Sequence, residues 1–332
     1  MKKIINFIEK KMPSPPLKIV ADRLFIISIV SLSLGGFFFN EGEGFICLLS
    51  SLLFYLSNLK FNTKKRVLSN GIRLFLLSII SVLLGTINPL YIPLVTPVYT
   101  FFLVIFERDK QHRKLPMFFL PLGIHLMSVG FPLDFIFQRV GSIFIGIIIA
   151  LVAKFFIWPS KGDEEIRSGK ENFFSSLNIK YTLRKSIGIA LVIIIGKFIG
   201  VKEGVPLFSA YLFLILHSPI DTEIFPKVSK RIWGTILGGL FYLPLTYFIE
   251  SKILIYILSF GALYLIFIFM GQCYVTTVTF ITLNALLSSV GVVSFETILS
   301  QRFLFVILGG GIALAISLLI PLKEEFFIPM VK

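Results

Sequence analysis

Ten long stretches of this 332-residue chain contain no Asp, Glu, Lys or Arg, and together they make up most of it. They run over 24–40, 44–59, 74–106, 115–133, 140–153, 186–196, 204–220, 232–249, 253–295 and 303–322. A hydrocarbon layer about 30 Å thick is crossed by roughly 20 helical residues. The runs 74–106 and 253–295 are each long enough for two crossings, with breaks at Asn88-Pro89 and Gly271-Gln272. That gives twelve spans. The runs 140–153 and 186–196 are short, and Lys154 and Lys197 at their ends extend them by snorkelling. A soluble domain is excluded: 56% of the residues are hydrophobic and 15% charged, against about 25% charged in soluble domains.

The net charge of +14 could suggest a nucleic-acid partner, but the basic residues sit in short loops and form no continuous face. With the N-terminus inside, 27 of the 32 Lys and Arg lie on the inner side. Only Arg139, Lys197, Lys202, Lys252 and Arg302 fall outside. This asymmetry predicts that both termini are cytoplasmic in a multi-pass protein of a bacterial inner membrane. Residues 2–11 read as a short amphipathic helix on the membrane surface rather than a signal peptide. Cys47 and Cys273 show no metal or disulfide spacing.

The chain also repeats itself. Gln138-Arg139 opens the sixth span and Gln301-Arg302 the twelfth, with Gly146 matching Gly309 and Ala150-Leu151 matching Ala313-Leu314. Glu43-Gly44 matches Glu203-Gly204, and Arg23 matches Arg184. The expected fold is therefore an all-α polytopic membrane protein of two parallel six-helix repeats, a layout that places substrate near the midplane. Its expected parts are an N-terminal segment 1–21, a first repeat 22–158, a cytoplasmic linker 159–183, a second repeat 184–322 and a tail 323–332.

The sharpest motif opens the ninth span: Lys230-Arg231-Ile232-Trp233-Gly234-Thr235-Ile236-Leu237-Gly238-Gly239. Gly234 and Gly238 form a small-xxx-small face for helix packing. Arg231 reads either as a positive-inside arginine or as the fork that grips an anionic group, with Thr235 one turn deeper. With Glu203-Gly204-Val205-Pro206, the apolar span after it and His217-Ser218-Pro219-Ile220-Asp221 upstream, this string resembles the fusaric acid resistance protein-like family. That family overlaps the aromatic acid exporter family. The resemblance covers roughly 183–245, departing at Gly204-Val205, where relatives often carry an aromatic pair. It implies a membrane transport protein that exports aromatic or other organic carboxylates.

Arg139 and Arg302 break the charge asymmetry at equivalent repeat positions, each a few residues after an acid, Asp134 and Glu296. They read as interfacial salt bridges or as a basic vestibule for anions. Arg184, with Arg231, is placed to draw an anion in from the inner side. His217 and Asp221 border the inner end of the eighth span; they read as solvated loop residues or as carriers of a coupling proton. His125 reads as a hydrogen-bonded core histidine, and Gln272, Thr276, Thr277, Thr279 and Asn284 as polar glue between helices. Pro89, Pro93, Pro97, Pro116 and Pro121 suggest bent or broken helices that line a pathway. There is no P-loop, metal-ligand cluster or Ser/His/Asp arrangement, so no enzyme activity, cofactor or metal is expected. Three readings stay open: a proton-coupled exporter of a small organic anion, a passive organic-anion channel, and a membrane scaffold or accessory subunit. The lipid bilayer is a partner in each, and a homo-oligomer is compatible with all three.

Overall fold

The computed structural model describes residues 15–58, 64–105, 118–159, 176–200, 204–217, 221–249, 251–270, 272–288 and 295–321. Twelve α-helices lie there: α1 (Pro15–Phe38), α2 (Glu41–Ser57), α3 (Lys64–Gly85), α4 (Ile92–Ile105), α5 (Phe119–Met127) and α6 (Ile136–Val152), then α7 (Ser176–Phe198), α8 (Gly204–Leu216), α9 (Ile224–Phe248), α10 (Lys252–Phe269), α11 (Tyr274–Leu287) and α12 (Phe295–Leu319). No strand occurs among the described residues. Each helix falls on one of the twelve expected spans, and both expected breaks are present. Between α3 and α4 a 3-10 turn (Pro89–Tyr91) begins at Asn88, whose side chain accepts the Leu90 N–H at 2.9 Å. Between α10 and α11, residues 270 and 272 lie in a turn. Four stretches are long and apolar enough to cross a membrane by length and composition: Lys18–Phe38, Lys64–Gly85, Leu133–Ile157 and Glu296–Leu319.

Helices outrun the apolar runs wherever nothing stops them. Lysine and arginine are good helix formers, so α7 begins at Ser176, within the expected linker. A π-helical turn (Ala153–Ile157) prolongs α6 past Lys154. Lys154 is buried in protein rather than snorkelling outward. The Lys197 ammonium, at the end of α7, donates to the Pro89 carbonyl at 2.9 Å. At the other end of the chain α1 starts at Pro15, inside the expected N-terminal segment; proline is well placed in a first helical turn. The surface helix expected at 2–11, most of the linker and the 323–332 tail lie outside the described residues.

Contacts divide the chain into two compact units, Met1–Ile26 with Pro226–Val306, and Ile27–Phe225 with Ile307–Lys332. These bounds do not follow the expected halves in chain order. In the first unit, α10 packs along α11. A core of Tyr242, Ile255, Ala262, Leu283, Leu286 and Leu287 fills the space they share with α9. The Asn284 amide donates to the Ser259 carbonyl at 2.7 Å, and the Thr277 hydroxyl reaches the Phe269 carbonyl at 2.9 Å across the break. Both are polar glue of the expected kind.

In the second unit α2 packs on α6, α4 on α7, α7 on α8, and α3 on both α5 and α6. Glycine lets several of these helices nearly touch. A Cβ on Gly146 of α6 would stand 2.5 Å from the Cys47 carbonyl oxygen of α2. A Cβ on Gly309 of α12 would stand 2.5 Å from the Ser209 carbonyl oxygen of α8. Likewise Gly35 of α1 abuts Gly44 of α2, and Gly196 of α7 abuts Pro206 of α8. The His125 imidazole is wholly buried; it bonds the Thr96 hydroxyl at 2.8 Å and faces the Ser81 carbonyl at 3.4 Å. It is a core histidine, as its apolar surroundings in sequence suggested.

Candidate anion-binding site

Membrane-embedded charges are costly unless paired or functional, so the buried basic side chains are the natural starting point. In the first unit two half-buried arginines, Arg231 and Arg302, each bury their Nε. Gly234 and Gly238 sit against α11: a Cβ on Gly234 would meet the Val278 Cβ at 2.6 Å, and one on Gly238 the Thr282 Cβ at 2.6 Å. This close approach holds α9 by its glycine face and fixes the rotation of the helix carrying Arg231. The Thr235 hydroxyl donates to the Arg231 carbonyl at 2.9 Å, so its proton is committed within the helix while its oxygen can still accept. Arg302, from α12, is an electrostatic neighbour of Arg231, a juxtaposition of like charges. Each arginine has a buried Nε with no hydrogen-bond partner among the described residues. Two guanidinium groups on separate helices, near enough to feel each other's charge and each keeping a buried Nε donor, suit an anion.

In the second unit three expected residues come together at the α7–α8 end. Arg184 is 0% exposed and donates to Asp221 at 2.7 Å. Asp221 opens a 3-10 turn (Asp221–Glu223) just ahead of α9. His217 packs its ring on Tyr181 and Phe213, with centroids at 5.8 and 5.3 Å. His217 is buried, not a solvated loop residue. Beside them lies Lys185, which belongs to no motif. It is 1% exposed, donates to the Leu214 carbonyl at 3.2 Å, and lies over the rings of Phe118 and Tyr181 at 5.1 Å.

Arg139 has an ion-pair partner, but not the neighbouring acid Asp134. Its Nε and one terminal nitrogen donate to a single oxygen of Glu43, at 3.0 and 2.8 Å. The other terminal nitrogen donates to the Met127 carbonyl at 2.7 Å. Glu43 belongs to the cap of α2: its N–H is accepted by the Asn40 side chain at 2.9 Å, and Asn40 also donates to Gln138 at 3.1 Å. The first turn of α2 is thereby fastened to the first turn of α6. The one usable signal in the sequence was that Glu43 and Arg139 both recur in the second half.

The segment holding Arg231, Gly234, Thr235, Gly238, Arg302, His217 and Asp221 is also the one that matches a family model. Residues 189–316 match the fusaric acid resistance protein-like family. No curated protein and no solved structure matches the chain. The fusaric acid resistance protein-like match starts within α7 and ends within α12, leaving Arg139 and Arg184 outside it. The apolar helices support a multi-pass membrane protein, and the matched segment, well under half of the chain, is similar to a family associated with transport.

Proposed function

We propose that this protein exports aromatic or other organic carboxylates across a bacterial inner membrane, coupled to protons. The observation that carries the reading is the Arg231–Arg302 pair. Like charges held together by α9 and α12 repel, and each retains a buried Nε that a carboxylate can engage. A bound anion relieves both problems at once, which makes a small organic acid the natural occupant. The match to a fusaric acid resistance protein-like family supports the same direction of transport. In this reading Arg184 and Lys185 make the inner end basic, while His217 and Asp221 lie where a proton can be passed. The chain has no expected nucleotide-binding sequence, so a proton gradient is the energy source assigned here.

The test uses everted membrane vesicles from cells that overproduce the chain, with labelled benzoate and an empty-vector control. Accumulation should exceed the control. Arg231→Gln and Arg302→Gln should each raise the apparent KM about 10–100-fold, the value of a charge-assisted hydrogen bond of roughly 1.5–3 kcal/mol. Flux that only relaxes to equilibrium would favour a passive anion channel. No flux together with a co-purifying partner would favour the scaffold.

A further inference from the structure

A second feature belongs to α3, which holds none of the residues proposed for transport. This helix turns Val67, Gly71, Leu74 and Ser78 inward, all of them buried. Its opposite face carries an open groove of about 570 Å³, lined by Lys65, Leu68, Ser69, Ile72, Arg73 and Leu76 among others. That volume lies within the range of ligand sites, roughly 300–1,000 Å³. The wall is braced from behind. The Tyr99 hydroxyl of α4 donates to the carbonyl of Leu77, itself part of the groove, at 2.9 Å. The Asn70 amide donates to the Asn58 side chain at 2.8 Å.

The lining falls into two neighbouring rows at helical spacing. Lys65, Ser69 and Arg73 form a polar row. Leu68, Ile72 and Leu76 form an apolar one; each is at least 50% exposed, and the exposed Ile80 carries the row on. From Leu68 to Ile80 is about 18 Å of helix, enough for the roughly 15 Å of hydrocarbon in one leaflet. At the polar end the charge is all of one sign. Lys64, Lys65 and Arg66 open the helix, Arg73 follows, and α3 contains no acid. Cations in a first turn stand at the positive end of the helix dipole, where a negative charge is the favoured neighbour.

We propose that this groove holds one anionic phospholipid, drawn from the leaflet at the first turn of α3. The charge bias makes that the cytoplasmic leaflet. The lipid phosphate lies between Lys65 and Arg73, with the Ser69 hydroxyl as a further donor. Arg73 is about 12 Å deeper than Lys65 along the axis, but helical side chains lean toward the N-terminus, which returns its guanidinium toward Ser69. Its planar fork can then take two phosphate oxygens. One acyl chain follows the apolar row along Leu68, Ile72 and Leu76.

Only a lipid of net negative charge suits both rows together. A free phosphate would meet the cations and leave the apolar row uncovered. A zwitterionic lipid would cover the apolar row but bring a cation of its own to Lys65 and Arg73. The site needs nothing beyond a membrane around α3, which is one of the four helices long and apolar enough to cross one. It is therefore separate from the export reading and stands if that reading fails.

The test titrates the purified full chain in detergent with fluorescent phosphatidylglycerol, and with phosphatidylcholine as the zwitterionic counterpart. Phosphatidylglycerol should bind saturably, and phosphatidylcholine about ten-fold more weakly. Lys65→Gln with Arg73→Gln should weaken phosphatidylglycerol about 10–30-fold. Lys18→Gln with Lys180→Gln removes the same charge from exposed positions on α1 and α7 and should leave the affinity unchanged. Excess inorganic phosphate should not displace the lipid. On the wild type, phosphatidylglycerol with a photoreactive acyl chain should label the peptide that contains 68–76. That labelling needs no variant, so it decides the matter even where the groove variant does not fold. Equal binding of the two lipids, an equal loss in the α1–α7 variant, displacement by phosphate, or label confined to other helices would each overturn the proposal.

Discussion

Arg184 and Asp221 show how unequal the two ends of a buried ion pair are. The arginine is 0% exposed, whereas the aspartate side chain is 23% exposed. Asp221→Asn strands a cation inside protein, and the expected loss is about 3–5 kcal/mol. Arg184→Met leaves an acid that water can reach, with an expected loss of about 1 kcal/mol or less. Thermal unfolding in one detergent, both variants side by side, checks the order. The glycines give a second contrast. Gly146→Ala puts a Cβ 2.5 Å from a backbone oxygen, so α2 and α6 must separate, at a cost of about 1–3 kcal/mol. Gly261, inside α10, has nothing within 4 Å of its missing Cβ, and Gly261→Ala should add about 0.5–1 kcal/mol. Ion-pair partners were the least legible feature in the sequence. The acid nearest Arg139 along the chain is Asp134, five residues away. Burial selects partners by depth and facing, and the partner is Glu43 on another helix.

Helix positions were far more legible. A charge-free run has few ways to satisfy its backbone in lipid, so the ten runs became helices, and the two longest were each divided into two near the expected breaks. The ends were less so, because Lys and Arg bring no helix to a stop, as α7 illustrates. Proline also read only in part. Pro89 opens the 3-10 turn, yet α4 passes through Pro97 unbroken. At this scale the cap of α2 is the point to test. Asn40→Ala removes both the acceptor for the Glu43 N–H and the bond to Gln138. The expected loss is about 0.5–2 kcal/mol, and Asn40→Gly should be milder. Faster hydrogen exchange at the Glu43 amide in the alanine variant would locate the loss at the cap.

At the scale of the whole molecule, the expected repeat has a parallel in the packing of four glycines. Gly35 meets α2 and Gly196 meets α8; Gly146 meets α2 and Gly309 meets α8. Equivalent glycines thus meet equivalent helices, although the compact units cut across the chain-order halves. Orientation remains the reading of the charge bias, and it is directly testable. In a chain with Cys47 and Cys273 replaced by serine, a cysteine at Ser168 should react only with a reagent admitted to the cytoplasmic side. A cysteine at Lys252 should react only from the outside.

The burial of Arg184 and Lys185 bears on how the protein is made. Both lie on α7, yet what satisfies them, Asp221 and the Leu214 carbonyl, is synthesised later, on α8 and just beyond it. A nascent α7 released alone into lipid would carry two unmatched cations, each costing up to about 2.5–3.5 kcal/mol at mid-depth. Leaving the insertion machinery as a hairpin with α8 avoids that. A ribosome stalled so that only residues up to Phe198 have emerged should leave α7 still crosslinked to the translocon, whereas release should follow once Asp221 has emerged.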